Sequence, residues 1–261
     1  MYPITIISDR RLAKRPLKDQ ITYIIECHKD AIHHKEHLHF YEDSHWITNY
    51  GDCQIIIREP DMDYDTYWQL IDELLPTMNQ CRMLIHGMMV QGLEDIDRIV
   101  TRDLYVHMPL YSLQDIVRKF GKSIDTNPMI GRFLSKHIKG TSIHSVGQWE
   151  SWLAYVKQYS ITGWDYILIS PVLPTSCKPN AIALGKSGVV SIINEIHTNC
   201  GDINLDRNYD TRDMDIVYKT KNDKTLPFRI YALGGVTSHT YQDVLTWGVD
   251  GIAMMSEAMT I

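Results

Sequence analysis

No run of apolar residues approaches the ~18–20 needed to cross a bilayer. The opening MYPITIISDRRL offers only a short apolar stretch before charge intervenes. Neither a membrane span nor an export leader is expected, and the expected compartment is the cytoplasm. Cysteine is sparse: Cys27, Cys53, Cys81, Cys177 and Cys200 are odd in number, scattered, and without a C-x-x-C pair. This excludes a disulfide framework and a zinc knuckle, and it suits a reducing compartment. An excess of basic residues is missing too. With 26 Lys+Arg against 32 Asp+Glu the formal charge is −6, so no nucleic-acid partner held by phosphate neutralisation is expected. A local basic pocket for a phosphorylated metabolite is still allowed.

What is there is an ordinary globular composition, 44% hydrophobic and 22% charged over 261 residues. Eight short apolar runs are bounded by polar residues or glycine: 4–8, 54–58, 82–86, 104–108, 137–142, 165–170, 228–233 and 250–255. Between most of them lie stretches of helical period, namely Tyr64–Met78, Leu93–Thr101, Val146–Ser160, Val189–Ile196 and Ser238–Gly248. Near-continuously apolar strands alternating with helices predict a parallel sheet covered on its outer side, and eight units match a closed (β/α)8 barrel. A doubly wound open sheet is the alternative. Barrels of this type reach about 250 residues, so a single domain over 1–261 is expected. Surface insertions are expected at about 28–50, which holds six of the twelve histidines, and about 200–226, with six Asp and five Lys or Arg. His33 and His37 would share a helix face at i, i+4 as a metal pair. No Asp, Glu or Cys completes a ligand set, and a solvated insertion accounts for the same residues.

Polar residues and glycines recur where the strands end: Asp9, Arg10, Arg58, His86, His107, Ser142, His144, Pro171–Lys178, Gly234, Gly235 and Ser256. In a barrel these converge on the face that carries active sites. Gly234-Gly235 end an apolar strand before a helix, and Gly248–Gly251 lead into the last strand, which finishes at Ser256. Glycines there let backbone amides approach a phosphate, beside the positive end of the next helix. A tight strand-to-helix turn would demand the same glycines. In GTSIHSVGQWE, Ser142 and His144 stand at a strand mouth and Ser145 is placed to cap the next helix. A histidine there suits proton transfer near neutrality; a structural hydrogen bond is the other reading. Lys178 supplies a compact positive charge and Thr175 a donor on a loop stiffened by Pro171, Pro174 and Pro179. Cys177 has no identifiable base and is not assigned as a nucleophile. Arg58 suits a bidentate contact with a carboxylate or phosphate, unless Glu59 or another acid pairs with it.

Taken in order, SDRRL, IIIRE, LYVHMPL, GTSIHS, DYILISPVLPTSCK and ALGGV with GVDGIAMMSEA resemble the thiamine-phosphate synthase and thiazole tautomerase family. The resemblance spans nearly the whole chain outside the two insertions and implies a phosphate-binding TIM barrel. Synthases of that family join hydroxymethylpyrimidine diphosphate to thiazole phosphate with Mg²⁺ assistance; tautomerases shift a proton in thiazole carboxylate phosphate. The synthases' Asn-Asp-Asp is replaced here by His86-Gly87-Met88, and their Gly-Gln-Glu/Asp-Asp run by Pro109-Leu110-Tyr111-Ser112. The Gln and Lys flanking the synthase arginine give way to Ile56 and Pro60. The resemblance therefore implies a tautomerase-like isomerase without a cofactor or metal. His144 would transfer the proton, and Arg58, Ser142, Thr175, Lys178, Gly188, Gly234, Gly235, Met255 and Ser256 would bind substrate or phosphate. A synthase using Mg²⁺ and a non-catalytic phosphate-ligand binder are the alternatives. The implied partner is a phosphorylated thiazole or pyrimidine small molecule, with no nucleic acid and no membrane, and a homo-oligomer is compatible with the sequence.

Overall fold

In the computed structural model the eight apolar runs become eight parallel strands: β1 (Tyr2–Ile7), β2 (Tyr50–Ile57), β3 (Arg82–His86), β4 (Tyr105–His107), β5 (Ile138–Ile143), β6 (Tyr166–Ile169), β7 (Arg229–Leu233) and β8 (Gly251–Met254). Residues 2–33, 50–77, 80–124, 126–175, 177, 179–199 and 226–261 are described here. Each strand is hydrogen-bonded to the next, and β8 returns to β1 through the pairs Ile4–Ile252, Thr5–Ala253 and Ile6–Met254. That closure excludes the open sheet and establishes the TIM-type (β/α)8 barrel.

The helices are α1 (Leu17–His33), α2 (Tyr64–Leu74), α3 (Leu93–Thr101), α4 (Leu110–Phe120), α5 (Pro128–Arg132), α6 (Val146–Gln158), α7 (Gly185–Asn199), α8 (Tyr241–Leu245) and α9 (Ser256–Met259). Side-chain caps start several of them. Asp63 accepts from the Thr66 amide at 2.9 Å ahead of α2, and Ser145 accepts from the Gln148 amide at 3.3 Å ahead of α6, as its position predicts. Four helices, α1, α4 and the short α5 and α9, lie outside the stretches of helical period given above. α1 runs on to His33, so His28 is a buried helix residue and the first insertion starts later than about 28. His37, residues 200–225 and Lys178 lie outside the described residues. Among the described residues no helix is long and apolar enough to cross a membrane.

Strand alternation sorts the core into two layers. Residues such as Ile4, Ile6, Ile55, Ile57 and Ile85 pack outward under the helices. Ile7, Ile56, Leu84, Leu168, Tyr166 and Tyr231 form a smaller cluster inside the barrel. Gly140 makes room for one of these rings: a Cβ there would lie 2.3 Å from Tyr166. The floor of the barrel, where strands begin, is filled by paired charge. Arg82 donates to both oxygens of Asp165 at 3.1 and 2.7 Å, Lys139 donates to the Gly163 carbonyl at 3.1 Å, and Arg229 pairs with Asp52 at 2.8 Å. Arg82 and Lys139 also flank the Tyr105 ring at 5.2 and 4.9 Å.

Candidate functional site

The opposite end, where strands finish, has a different chemistry. On the β1–β2 side the buried carboxylates are consumed internally. Glu59 accepts from the Ser8 hydroxyl at 2.6 Å, the Arg10 amide at 3.1 Å and the Arg10 guanidinium at 3.2 Å. Asp9 is gripped by Arg11 at 2.8 and 2.6 Å, and that hydrogen bonding holds its carboxyl below the usual range despite burial. Ser8 Oγ accepts the Arg58 amide at 2.9 Å and so fixes where this arginine leaves the strand. Its guanidinium has no hydrogen-bond or ion-pair partner among the described residues. The expected competitor Glu59 is therefore not its partner, and Arg10 and Arg11 are spent on the acids of the β1–β2 side of the mouth.

Three histidines stand around the opening. His86, at the end of β3, accepts the Met88 amide on Nδ1 at 3.3 Å, and its ring centroid is 5.6 Å from that of His107. His107, at the end of β4, is bound on both nitrogens, by Tyr166 Oη at 2.8 Å and Ser142 Oγ at 2.9 Å. Burial, reinforced by the Arg58 guanidinium and by repulsion from any proton taken up at His86 or His144, pushes its pKa well below the ordinary imidazole value. His144 follows β5 directly before the Ser145 cap, with its amide donated to Gln148 Oε1 at 3.0 Å. Its Nδ1 lies 2.6 Å from the Ser170 carbonyl. A carbonyl only accepts, so Nδ1 carries hydrogen, and the neutral ring keeps its lone pair on Nε2.

The loops after β6, β7 and β8 form one continuous rim. Val172 and Leu173 donate to the carbonyls of Leu233 and Gly234 at 2.9 and 3.0 Å. Ser238 N donates to Glu257 at 2.6 Å, and Cys177 Sγ lies 3.3 Å from Ser256 Oγ. Gly234 and Gly235 have φ of 95° and 70°, and a Cβ on Gly235 would meet the Pro174 carbonyl at 2.4 Å. Loop packing alone therefore requires these glycines, while the amides of Gly235 and Val236 are donated to no acceptor among the described residues. Gly188 is different: it lies in the first turn of α7 and its amide is donated to Leu184 at 3.2 Å, which takes up the group expected to hold phosphate. Thr175 accepts the Cys177 amide at 3.4 Å. Met255 and Ser256 lie where β8 passes into α9.

The structure thus bonds Ser142 and Tyr166 to His107 in one group and Ser170 to His144 in another, while Gly234 is bonded to Leu173 and Cys177 lies against Ser256 on the rim. Tyr166 belongs to the first group and was missed by sequence reasoning, since a tyrosine opening an apolar strand reads as core. Its signal was Gly140, because a glycine inside a strand marks a close approach. Among the described residues no group of three or more His, Cys, Asp or Glu side chains is arranged to hold a metal ion. The buried mouth carboxylates already belong to Arg10 and Arg11, so the residues present do not fit Mg²⁺, a cation that takes carboxylate oxygens.

These features define a class, a closed (β/α)8 barrel with a cationic, histidine-lined mouth. Among solved structures, thiamine phosphate pyrophosphorylase from Pyrococcus furiosus is similar over 100% of this chain and 88% of its own, with 15% identity and a TM-score of 0.51. The corresponding protein from Bacteroides thetaiotaomicron matches 98% of this chain and 83% of its own at 8% identity and a TM-score of 0.43. A native KDPGal structure matches 97% and 82% at 11% identity and 0.46. At such identities the likeness establishes the fold alone. No protein-family profile and no curated protein matches the chain.

Proposed function

We propose that the protein is a tautomerase-like isomerase acting by acid/base chemistry on a phosphorylated thiazole carboxylate. The observation that carries this reading is His144, whose Nδ1–H is tied to the Ser170 carbonyl at 2.6 Å, which fixes the imidazole at a strand mouth. The neutral imidazole takes a proton from one ring-system carbon and returns a proton to another, so composition and charge are unchanged and no metal is needed. Arg58 attracts the anionic end of the substrate, and the amides of Gly235 and Val236 offer donors on the rim across the mouth. The fold shared with thiamine phosphate pyrophosphorylase supports a substrate of this chemical class.

The test is one assay matrix: thiazole carboxylate phosphate alone, and hydroxymethylpyrimidine diphosphate with thiazole phosphate, each with and without Mg²⁺. Metal-independent isomerisation of the first is expected. His144→Asn should lower it about 10²–10⁴-fold while ligand binding persists. Mg²⁺-dependent pyrophosphate release from the pair would make the protein a synthase. Thermal stabilisation by thiazole phosphates without turnover would make it a binder.

A further inference from the structure

Three polar side chains from three strands form an unbranched chain inside the barrel: Tyr166 Oη, His107 and Ser142 Oγ, linked at 2.8 and 2.9 Å. The two hydrogen bonds can run in either direction. In one, the tyrosine donates to Nδ1, Nε2–H donates to the serine, and the serine hydrogen points onward. In the other, the serine donates inward, Nδ1–H donates to the tyrosine, and the phenol hydrogen points onward. Burial decides between them. Tyr166 is 1% exposed and has no other polar partner among the described residues, so the second arrangement would strand a buried O–H, which costs about 1–3 kcal/mol. Ser142 is half-buried at the opening, where water or a ligand can accept its hydrogen.

We infer that Tyr166 and His107 are positioning residues that lock the Ser142 hydroxyl as a hydrogen-bond donor aimed at an anionic oxygen of the ligand. The inference rests on the reading that the mouth receives a phosphorylated or carboxylated small molecule. The lock is stable because the groups facing His107 are Arg58 from β2, His86 from β3, His144 and Ser142 at the end of β5, and Tyr166 from β6. None is an acid, so nothing there favours a second proton on the ring. Ser142 and Arg58 then present donors while His144 Nε2 is the acceptor, a polarity that orients a substrate bearing an anion beside an acidic carbon.

The experiment combines ¹⁵N-histidine NMR of the full-length protein with binding of thiazole phosphate. His107, assigned by the loss of its signals in His107→Asn, should show the Nε2–H tautomer throughout pH 6–8. In Tyr166→Phe the Nδ1 donor is gone, so the tautomer should switch or average, and affinity should fall about tenfold. Ser142→Ala should lose a similar factor and Ser142→Thr should retain affinity. Ser142→Ala added to Tyr166→Phe should cost nothing more, because both remove one donor. An Nδ1–H tautomer in the wild-type protein overturns the lock, as do additive losses. If thiazole phosphate fails to bind the wild-type protein the ligand reading falls, and the tautomer measured without ligand still decides the lock.

Discussion

At the floor of the barrel Arg82, Lys139 and Arg229 each have a defined acceptor, respectively Asp165, the Gly163 carbonyl and Asp52. At the mouth Arg58 has none among the described residues, and the groups that feel its charge are Asp9, already held by Arg11, and His107. Both ends bring cations into a closed sheet, and Arg58 is the one of these that no acid binds directly among the described residues. Burying a charge is tolerated when it is paired and hydrogen-bonded, so the floor is a polar plug that contributes to stability. The unneutralised mouth bears a cost that a ligand can offset. The histidines divide similarly. His137, beside the start of β5, donates Nδ1–H to the Leu104 carbonyl at 2.7 Å and leaves Nε2 buried without a hydrogen-bond partner among the described residues. His144 has its imidazole fixed at the mouth.

This contrast is broken most forcefully at the floor. Arg82→Ala leaves Asp165 partly buried without its bidentate partner and should lower unfolding free energy by about 3 kcal/mol, read by urea titration, with turnover per folded molecule unchanged. A variant that loses turnover at full stability would give the floor a role in catalysis. Next in size is Gly235→Ala. Its Cβ would press on the Pro174 carbonyl at 2.4 Å with φ at 70°, so a loss of about 2 kcal/mol is expected, together with weaker phosphate binding as the loops after β6 and β7 part. Stability lost without any change in affinity would mean the glycine pair serves the turn alone.

The mouth was more legible in the sequence than the floor, for a physical reason. Strand ends declare themselves because polar residues follow apolar runs, and that rule located Arg58, His107, Ser142 and His144 without any partner being known. Arg82 and Lys139 also lie in apolar runs, but their meaning depends on what stands across the closed sheet, which is set by register. Asp165 meets Arg82 from β3 although 83 positions separate them. The same limit hid Tyr166. Helix α4 was missed because Pro109-Leu110-Tyr111-Ser112 was compared only with the acidic run that synthases carry there, although proline just ahead of a helix is a common start. In α1 the charged and histidine-rich second half obscured a helical period that Ile21, Ile24 and Ile25 carry into the core.

Arg58→Ala tests the mouth from its own side. Affinity for thiazole phosphate should fall about tenfold, while stability should hold or rise slightly, the reverse of Arg82→Ala. A clear loss of stability would mean that Arg58 is structurally paired after all.

The finest contrast, the change that ligand makes to each histidine's share of the pH dependence, separates the two ends within one titration. Burial lowers the pKa of both His107 and His137 below the unfolded imidazole value near 6.5. Below that pH the unfolded chain binds protons that the folded chain refuses, so stability falls as pH falls, by up to about 1.4 kcal/mol per pH unit for each histidine. Urea midpoints between pH 7.5 and 5.5 should show this slope, and His107→Asn and His137→Asn should each remove a share of it. Saturating thiazole phosphate places an anion near Arg58 and His107, so it should diminish the His107 share by easing protonation there. The His137 share, set at the other end of the barrel by a buried Nε2, should not respond. A slope that responds equally to ligand in both single variants would mean that the ligand does not bind at the mouth.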